Sequence, residues 1–266
     1  MLEEREVILQ SWQRCMENGL NKKVNRPLIY EKRAILDKKI EENSMLIDIF
    51  KGQVNNIKNE FITQIKKYDE YVFILTDKKG MLLDICCDNE LKDKLTKKNI
   101  KRGIYFTEKS CGTNAISMAM TRQKTVKLAN DDHYCFFLQD WECILAPLMI
   151  KDLIIGYLDI SHINNNLNDN IFLMLNYLLN NIILEYINKM ISNNTKENLK
   201  TDYIEVLKLS ANGYTIEEIS KKLHITESTV KYRRKKLCEI YEAKNICQVI
   251  SEHLKNNIMN LIYDKH

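Results

Sequence analysis

Two groups of residues in this chain have the types and spacing that chemistry needs. The first is the run from Lys231 to Lys236, which places five cationic side chains in six positions. Cations this dense repel one another on a lone helix, and phosphates relieve that repulsion. Lys231 stands four residues before Lys235, Tyr232 four before Lys236, and no acid follows until Glu239. The run therefore lacks the alternation of sign expected of a solubilising face. On composition alone, a phosphate-facing helix and a bland basic surface both stay open. The second group is Tyr105, Phe106, Asn114, His133, Trp141 and Cys143, polar and aromatic residues of the kind that enclose a small organic ligand between a sheet and its helices. Each taken singly also fits a core position. Cys111, Cys135 and Cys143 beside His133 raise thiolate or metal chemistry as a rival, but their spacing fits no metal-ligand template. An unpaired buried cysteine is commonly a small hydrophobe.

The elements that would position the basic run are legible just upstream. "YIEVLKLSANGY" carries Ile204, Leu207 and Leu209 before Gly213, a residue suited to the left-handed backbone that ends a helix. Thr215 and Glu218 form a T-x-x-E capping box that opens "IEEISKKL", with Ile216, Ile219 and Leu223 inward. After the turn "HIT", Val230, Leu237 and Tyr241 share one stripe, so Lys231, Tyr232, Lys235 and Lys236 project from the outer faces. A short helix, a tight turn and a second helix with a basic outer face make helix-turn-helix geometry, whose second helix enters a major groove.

The second group sits in a stretch of different texture. The first 68 residues read as helices, with apolar positions at helical spacing in "VILQSWQRCMENGL" and "MLIDIFKGQVNNIKNEFITQI". "YVFILTDKKGMLLDICC" then predicts a hairpin with Gly80 in its turn. "CGTNAISMAMTRQ" predicts a helix starting near Thr113, with Gly112 and Thr113 as turn and N-cap; Asn114 would bond either a ligand or the backbone. "ECILAPLMI" and "LIIGYLDIS" form a second hairpin around Lys151 and Asp152. The simplest assembly is an antiparallel sheet with helices packed on it, at residues 69–162.

From Asp169 to Ile191 one long helix is expected. Its Phe172, Leu175, Leu179, Ile182, Ile183, Tyr186, Ile187 and Met190 exceed what one sheet consumes, which points to a homodimer joined along it. "SNNTKEN" reads as a polar connector. The expected organisation is a helical arm at 1–68, the sheet domain at 69–162, a connecting and dimerising helix at 163–191, a linker at 192–200 and a helical domain at 201–266.

At 266 residues two domains are natural, and 45% hydrophobic residues suffice for their cores. From Lys200 onward 12 Lys and Arg stand against 9 Asp and Glu, so most of the formal +4 lies in the last quarter. Eight cysteines without a CxxC pair, and an N-terminus without the basic-then-apolar order of a secretion signal, imply reduced thiols and a cytoplasmic location. The longest apolar region is broken by Asn176, Asn180, Asn181 and Glu185, so no membrane span is expected.

"EVLKLSANGYTIEEISKKLHITESTVKYRRKKL", continued by "YEAKN", resembles the LuxR/GerE-type helix-turn-helix over about 55 residues. That resemblance implies a DNA-binding set of Thr229, Lys231, Tyr232, Arg233, Arg234 and Lys235, with Lys231, Tyr232 and Lys235 facing bases and phosphates. Tyr232 departs from the smaller polar residue common there, which leaves the base preference open. "KNICQVISEHLKN" corresponds to the helix through which such domains often dimerise. Upstream, "ILQSWQRCMENGL", "FILTDKKGMLLD", "GIYFTEKSCGTNAI", "DDHYCFFLQDWECILAPL" and "IIGYLDIS" resemble, in order, the sensory part of acetoin- and glycerol-catabolism-type enhancer-binding activators across residues 5–162. In that family a GAF domain follows an S-W-x-R-C helix, which implies that Trp12 and Arg14 anchor the leading helix. The chain departs from the family in having no GxxxxGK[ST] phosphate loop, and hence no ATPase module of that kind.

Together the resemblances imply an α+β GAF domain, an antiparallel sheet with packed helices, joined to an all-α helix-turn-helix domain. The implied protein is a transcription regulator, not an enzyme, with no cofactor and no metal. Its implied partners are double-stranded DNA, a small-molecule effector, RNA polymerase and a second copy of itself, without a membrane. The alternative is a cysteine-dependent GAF enzyme or a metal or redox sensor.

Overall fold

Strand β1 (Tyr71–Asp77) does not alternate between apolar and polar residues, because every residue from Tyr71 to Thr76 is buried. A strand covered on both faces reads as a continuous apolar run. The computed structural model describes residues 2–61, 71–150, 152–163, 170–198 and 201–253. The chain divides into two compact units, Met1–Glu185 and Tyr186–His266.

In the first unit β1 pairs antiparallel with β2 (Leu82–Cys86), as expected, and Gly80 takes a positive φ of 76° in the turn between them. The second expected hairpin is β4 (Trp141–Ile150) with β5 (Leu153–Ile163), and a short strand β3 (Val126–Ala129), not anticipated, edges the sheet beside β4. The order is β2-β1-β5-β4-β3, antiparallel throughout. Strand β5 is therefore central, pairing with β1 from Tyr71↔His162 to Asp77↔Gly156 and with β4 along its whole length. Pro147 is tolerated in β4 because β3 pairs only with Glu142 to Leu145, so at Pro147 the outer side needs no N–H.

Gly156 is required by the closeness of β1. A Cβ there would lie 2.4 Å from the carbonyl oxygen of Thr76, a backbone atom that cannot move aside.

The helices of this unit are α1 (Leu2–Glu17), α2 (Arg33–Glu42), α3 (Ser44–Phe61), α4 (Asn89–Lys97), the single turn α5 (Glu108–Cys111) and α6 (Ala115–Arg122). On one face Val72, Ile74, Leu128, Trp141, Cys143 and Leu145 join Cys15, Leu20 and the α6 residues Ala115, Ile116, Met118 and Ala119 in one core. Helix α3 packs against β1 and β2, burying Leu46, Ile47, Ile49, Phe50, Val54 and Ile57.

Helix α7 (Ile171–Asn198) buries Ile171, Met174, Leu175, Leu178 and Ile182 and exposes Phe172, Leu173, Tyr177 and Leu184. Leu175 and Ile182, expected on a dimer face, instead belong to the inward stripe set by the 3.6-residue period, and the exposed apolar stripe is displaced around the helix. The helix also continues through the stretch expected to be a connector, since no Gly or Pro interrupts residues 171–198. Among the described residues Ile171–Met190 is the one segment long and apolar enough to cross a membrane by length and composition, with a mean hydropathy of 1.2.

After the end of α7, the described residues of the second unit form α8 (Thr201–Ala211), α9 (Ile216–Leu223), α10 (Glu227–Ile240) and a further helical stretch at 246–253. Val206, Leu207, Ile219, Val230, Leu237 and Val249 form its core.

Replacing Gly156 by Ala is expected to lower stability by about 1–3 kcal/mol in urea denaturation. Gly52→Ala, on α3 with open space around it, should be neutral or stabilising by up to about 1 kcal/mol. Equal effects at both positions would refute the close-approach argument.

Candidate functional site: basic helix and buried cavity

The helix-turn-helix is built by local hydrogen bonds. The capping box of α9 is formed as expected: Thr215 N–H donates to Glu218 Oε2 (2.8 Å) and Glu218 N–H to Thr215 Oγ1 (3.3 Å). His224 ends α9 in the left-handed conformation, and Thr226 caps α10 by accepting from Thr229 N–H (3.2 Å). Val230 and Leu237 pin α10 into the core.

With that stripe inward, Lys231, Tyr232 and Lys235 are exposed. Thr229 is half-buried, its hydroxyl 2.9 Å from that of Thr226. Arg233 and Arg234, expected beside the DNA-facing residues, are turned back onto the domain. Arg233 Nη2 donates to Asp202 Oδ2 (2.7 Å), and its side chain is only 17% exposed. Arg234 donates through Nε to Ser210 Oγ (3.0 Å) and through Nη2 to the Tyr214 carbonyl (3.0 Å). The cause is their position on α10, which faces the α8 end of the domain. The run is also less free of acids than the downstream sequence implies. Lys231 lies 3.7 Å from Glu227, four residues upstream, and Lys236 lies 2.6 Å from Glu239. Exposed pairs of this kind contribute only about 0.3–0.5 kcal/mol, so phosphates can replace them.

In the first unit, α1 is clasped to the loops around α5 and α6. Arg14 grips Glu108 with two hydrogen bonds, Nε to Oε2 (3.0 Å) and Nη2 to Oε1 (2.6 Å), and Ser11 Oγ donates to Glu108 Oε1 (2.6 Å). Burial alone would raise the Glu108 carboxyl, but the bonds from Arg14 and Ser11 outweigh it and hold the group below its usual range. The Ser11 and Thr113 hydroxyls lie 2.7 Å apart, Trp12 Nε1 donates to the Asp132 carbonyl (3.0 Å) and Tyr134 OH to the Leu20 carbonyl (2.8 Å). Lys22 Nζ sits 3.8 Å from the centre of the Trp12 ring. Trp12 and Arg14 thus fix the leading helix.

Gly112 has φ 68°, and a Cβ there would fall 2.8 Å from Tyr134 Cβ. The N-cap of α6 is Asn114 and not Thr113: Asn114 Oδ1 accepts from Ser117 N–H (3.0 Å), while its Nδ2 donates to the carbonyls of Gly112 (2.8 Å) and Phe106 (3.2 Å). Its side chain is committed to the backbone.

A cavity lies between α6, the 130–138 loop and the sheet. Phe106, Asn114, His133, Trp141 and Cys143 of the sequence-derived set line it, together with Ile74, Ile116 and Leu138. Tyr105 does not. Its hydroxyl donates to Glu31 Oε2 (2.6 Å) and accepts from Lys39 Nζ (2.8 Å), because consecutive residues in an extended segment point to opposite sides. The lining also includes Asp159 and Ser161, which the sequence reading did not single out. The available signal was an acid inside the otherwise apolar strand "LIIGYLDIS".

The polar groups of the cavity form a chain. Ser161 Oγ lies 2.5 Å from Asp159 Oδ2 and 3.1 Å from Cys143 Sγ, and His133 Nε2 lies 3.6 Å from that sulfur. His133 Nδ1 is 3.1 Å from the Asn130 carbonyl, which assigns the ring proton to Nδ1. Burial pushes His133 down to about 4 and raises Asp159 to about 7. It also pushes the Cys143 thiol well up and Cys135 to about 12. Near neutral pH the imidazole is uncharged and the thiols keep their protons, the reverse of the pairing that activates a cysteine.

The comparisons with known proteins bear on both units. Residues 203–252 match the family described as bacterial regulatory proteins, luxR family. The chain is 26% identical over 160 residues to an uncharacterized 47.3 kDa protein from the thcA 5' region of Rhodococcus erythropolis, covering 59% of this chain and 35% of that one. It is 25% identical over 158 residues to the acetoin dehydrogenase operon transcriptional activator AcoR of Bacillus subtilis, covering 59% of this chain and 25% of that one. The chain thus spans about a third or less of the length of these relatives. Among solved structures, the N-terminal part of E. coli DhaR, in complex with DhaL, superposes with a TM-score of 0.62 at 17% identity, covering 71% of this chain and 63% of that one. The fold class expected from sequence, an α+β unit of antiparallel sheet with packed helices followed by an all-α helix-turn-helix unit, is the one found.

The raised Asp159 carboxyl makes a pH prediction. The folded chain holds this proton up to about pH 7, whereas an unfolded Asp releases it near 3.8, so the group's contribution to stability falls as pH rises between those values and stays low above them. Asp159→Asn, which cannot ionise, should therefore gain melting temperature relative to the parent, with the difference larger at pH 8 than at pH 5 by the equivalent of about 2–4 kcal/mol. A difference that does not vary with pH would refute the assignment.

Proposed function

We propose that this chain is a DNA-binding transcription regulator in which the α+β unit senses a small molecule and the LuxR-type unit binds double-stranded DNA. The observation that carries the reading is the coincidence of the luxR-family match at 203–252 with a helix-turn-helix whose second helix exposes Lys231, Tyr232 and Lys235. In this reading α10 enters the major groove, Lys231 and Lys235 neutralise phosphates, and Tyr232 meets base edges. Arg233 and Arg234 hold α10 on α8 and keep it at the angle the groove demands. The work is cytoplasmic, on the chromosome, and RNA polymerase is the partner through which DNA binding would alter transcription.

Sensing is supported by the cavity and by the clasp beside it. The segments that carry Glu108, Thr113, Asp132 and Tyr134 to α1 also carry Phe106, Asn114 and His133 to the cavity wall. A ligand that binds one arrangement of those segments better than another would bias α1 by the same free-energy difference. Enzymatic use of the cysteines has no support in geometry, since Cys111, Cys135 and Cys143 are buried with raised thiols.

We also propose a homodimer seated on α7. Its exposed Leu173, Tyr177 and Leu184 are spaced four and seven residues apart, the repeat of a two-helix seam. Such a dimer would hold two recognition helices about one DNA turn, ~34 Å, apart and read an inverted repeat.

Lys231→Ala and Lys235→Ala should each weaken DNA binding and make the log-affinity against log-salt slope shallower by about 1. Tyr232→Ala should shift preference among sites. Unchanged affinity and slope in both lysine variants would sink the assignment of α10. In sedimentation, the full chain should be a dimer at tens of micromolar and Leu184→Asp a monomer; a parent monomer would overturn the α7 seam.

A further inference from the structure

Beyond β2 the first unit ends in an edge made of two short segments outside the named strands. Residues 103–106 run antiparallel to the start of β2: Leu82 N–H donates to the Ile104 carbonyl (2.8 Å), Gly103 N–H to the Leu82 carbonyl (2.9 Å) and Phe106 N–H to the Gly80 carbonyl (2.9 Å). Outside them lies the segment 29–31, antiparallel again, with Tyr30 opposite Ile104. Glu31 N–H donates to the Gly103 carbonyl (2.7 Å), and Tyr105 N–H donates to the Ile29 carbonyl (3.1 Å). In such a pair the residue between the two bonded ones turns its own N–H and C=O to the other side. That residue is Tyr30, and among the described residues nothing bonds its N–H or its C=O.

The side chains around these two open groups are exposed as well: Leu28 by 49%, Ile29 by 38%, Tyr30 by 39% and Ile35, on the following helix α2, by 42%. Apolar side chains gathered at an unpaired edge invite another strand. The charge around them is one-sided. Lys23, Arg26, Lys32 and Arg33 are all exposed. The nearest acid, Glu31, has its carboxylate held by Lys39 and Tyr105.

This charge separates the candidate occupants. A second copy would bring the same cations against these, and like charges across a strand pair repel. The stretches of the chain outside the described residues at 62–70, 164–169 and 254–266 together carry four Lys against four Asp and Glu, and none has a surplus of more than one acid. A nucleic acid would satisfy the cations and the Tyr30 N–H, but its phosphates would leave the Tyr30 carbonyl without a donor. A peptide main chain offers a donor and an acceptor at the spacing required.

We infer that the edge at Tyr30 docks an extended, acidic segment of another protein, which adds as one further antiparallel strand. One residue of that segment exchanges both main-chain hydrogen bonds with Tyr30, its apolar side chains pack against Leu28, Ile29 and Ile35, and its acids meet Arg26, Lys32 and Arg33. The edge shares no residue with the cavity or with α10.

The test uses the full-length protein and a short fluorescein-labelled peptide of alternating glutamate and valine, read by fluorescence anisotropy. The expected result is saturable binding with a Kd below about 1 mM that weakens as salt is raised. The same peptide with lysine for glutamate, or with its backbone nitrogens methylated, should not bind. Tyr30→Pro, which removes the open N–H, should abolish binding. Arg26→Glu together with Lys32→Glu, on side chains that point into water, should weaken it about tenfold without touching the main chain. With nitrogen-15 tyrosine, hydrogen exchange at the Tyr30 amide should slow when the peptide is bound. The proposal is overturned if no saturable binding is seen up to about 1 mM, or if the Tyr30 amide exchanges as before in the bound state. It is also overturned if binding survives the double charge reversal but is lost in Lys235→Ala, which would seat the peptide on α10. Two further outcomes would give the edge to another occupant and sink the proposal: oligothymidylate binding that falls in the double reversal while the peptide fails to bind, or self-association that disappears in Tyr30→Pro.

Discussion

A carboxyl group sits in the central strand of a sheet that is covered on both faces, and the arrangement of the first unit follows from keeping it there. Burying Asp159 costs free energy in either protonation state unless its oxygens find partners. One oxygen has Ser161, which in turn reaches Cys143 and, through the sulfur, His133. This chain ties β5 to β4 and to the 130–138 loop by side chains, in addition to the backbone ladder. The second oxygen is left open toward the cavity. Replacing Asp159 by an apolar residue would remove that cost, so stability alone does not explain why an acid stands in this strand.

The clasp on α1 has the opposite character. Arg14, Ser11, Glu108 and Thr113 satisfy one another at the margin of the unit, with Glu108 held ionised by its partners. A bidentate guanidinium–carboxylate pair is directional as well as strong, so it fixes where α1 lies more than it adds to stability. Because the clasped segments are also cavity walls, α1 and the cavity share a boundary. In the proposed sensing role, that shared boundary is where occupancy of the cavity would bias a helix.

In the second unit one run of cations is divided between two tasks by the pitch of a helix. Val230 and Leu237, seven residues apart, set which side of α10 faces inward. Arg233 and Arg234 then fall where they reach α8 and the turn after it, and Lys231, Tyr232 and Lys235 fall outside. Arginine suits the first task, since its fork bonds two acceptors at once; lysine, a mobile point charge, suits contact with phosphates. Charge count alone does not separate the two.

What the sequence determined by itself was everything carried by near neighbours. The capping box at Thr215 and Glu218, the two hairpins, the inward stripe of α10 and the long α7 all follow from periods of two or 3.6 residues and from capping chemistry within four residues. Five of the six residues expected at the cavity do line it, because aromatic and polar residues between helix and sheet have few other places to go. Tertiary structure decided what depends on partners far along the chain. It paired β1 with β5, residues 71–77 against 156–162, and so made β5 central and buried Asp159 inside the unit. It turned Tyr105 to Glu31 and Lys39, used Asn114 as the cap in place of Thr113, and drew Arg233 to Asp202. The reason is that a side chain's environment is set by every segment packed on it. Local sequence specifies which way a residue points along its own element, but not whether another segment brings the atom that satisfies it.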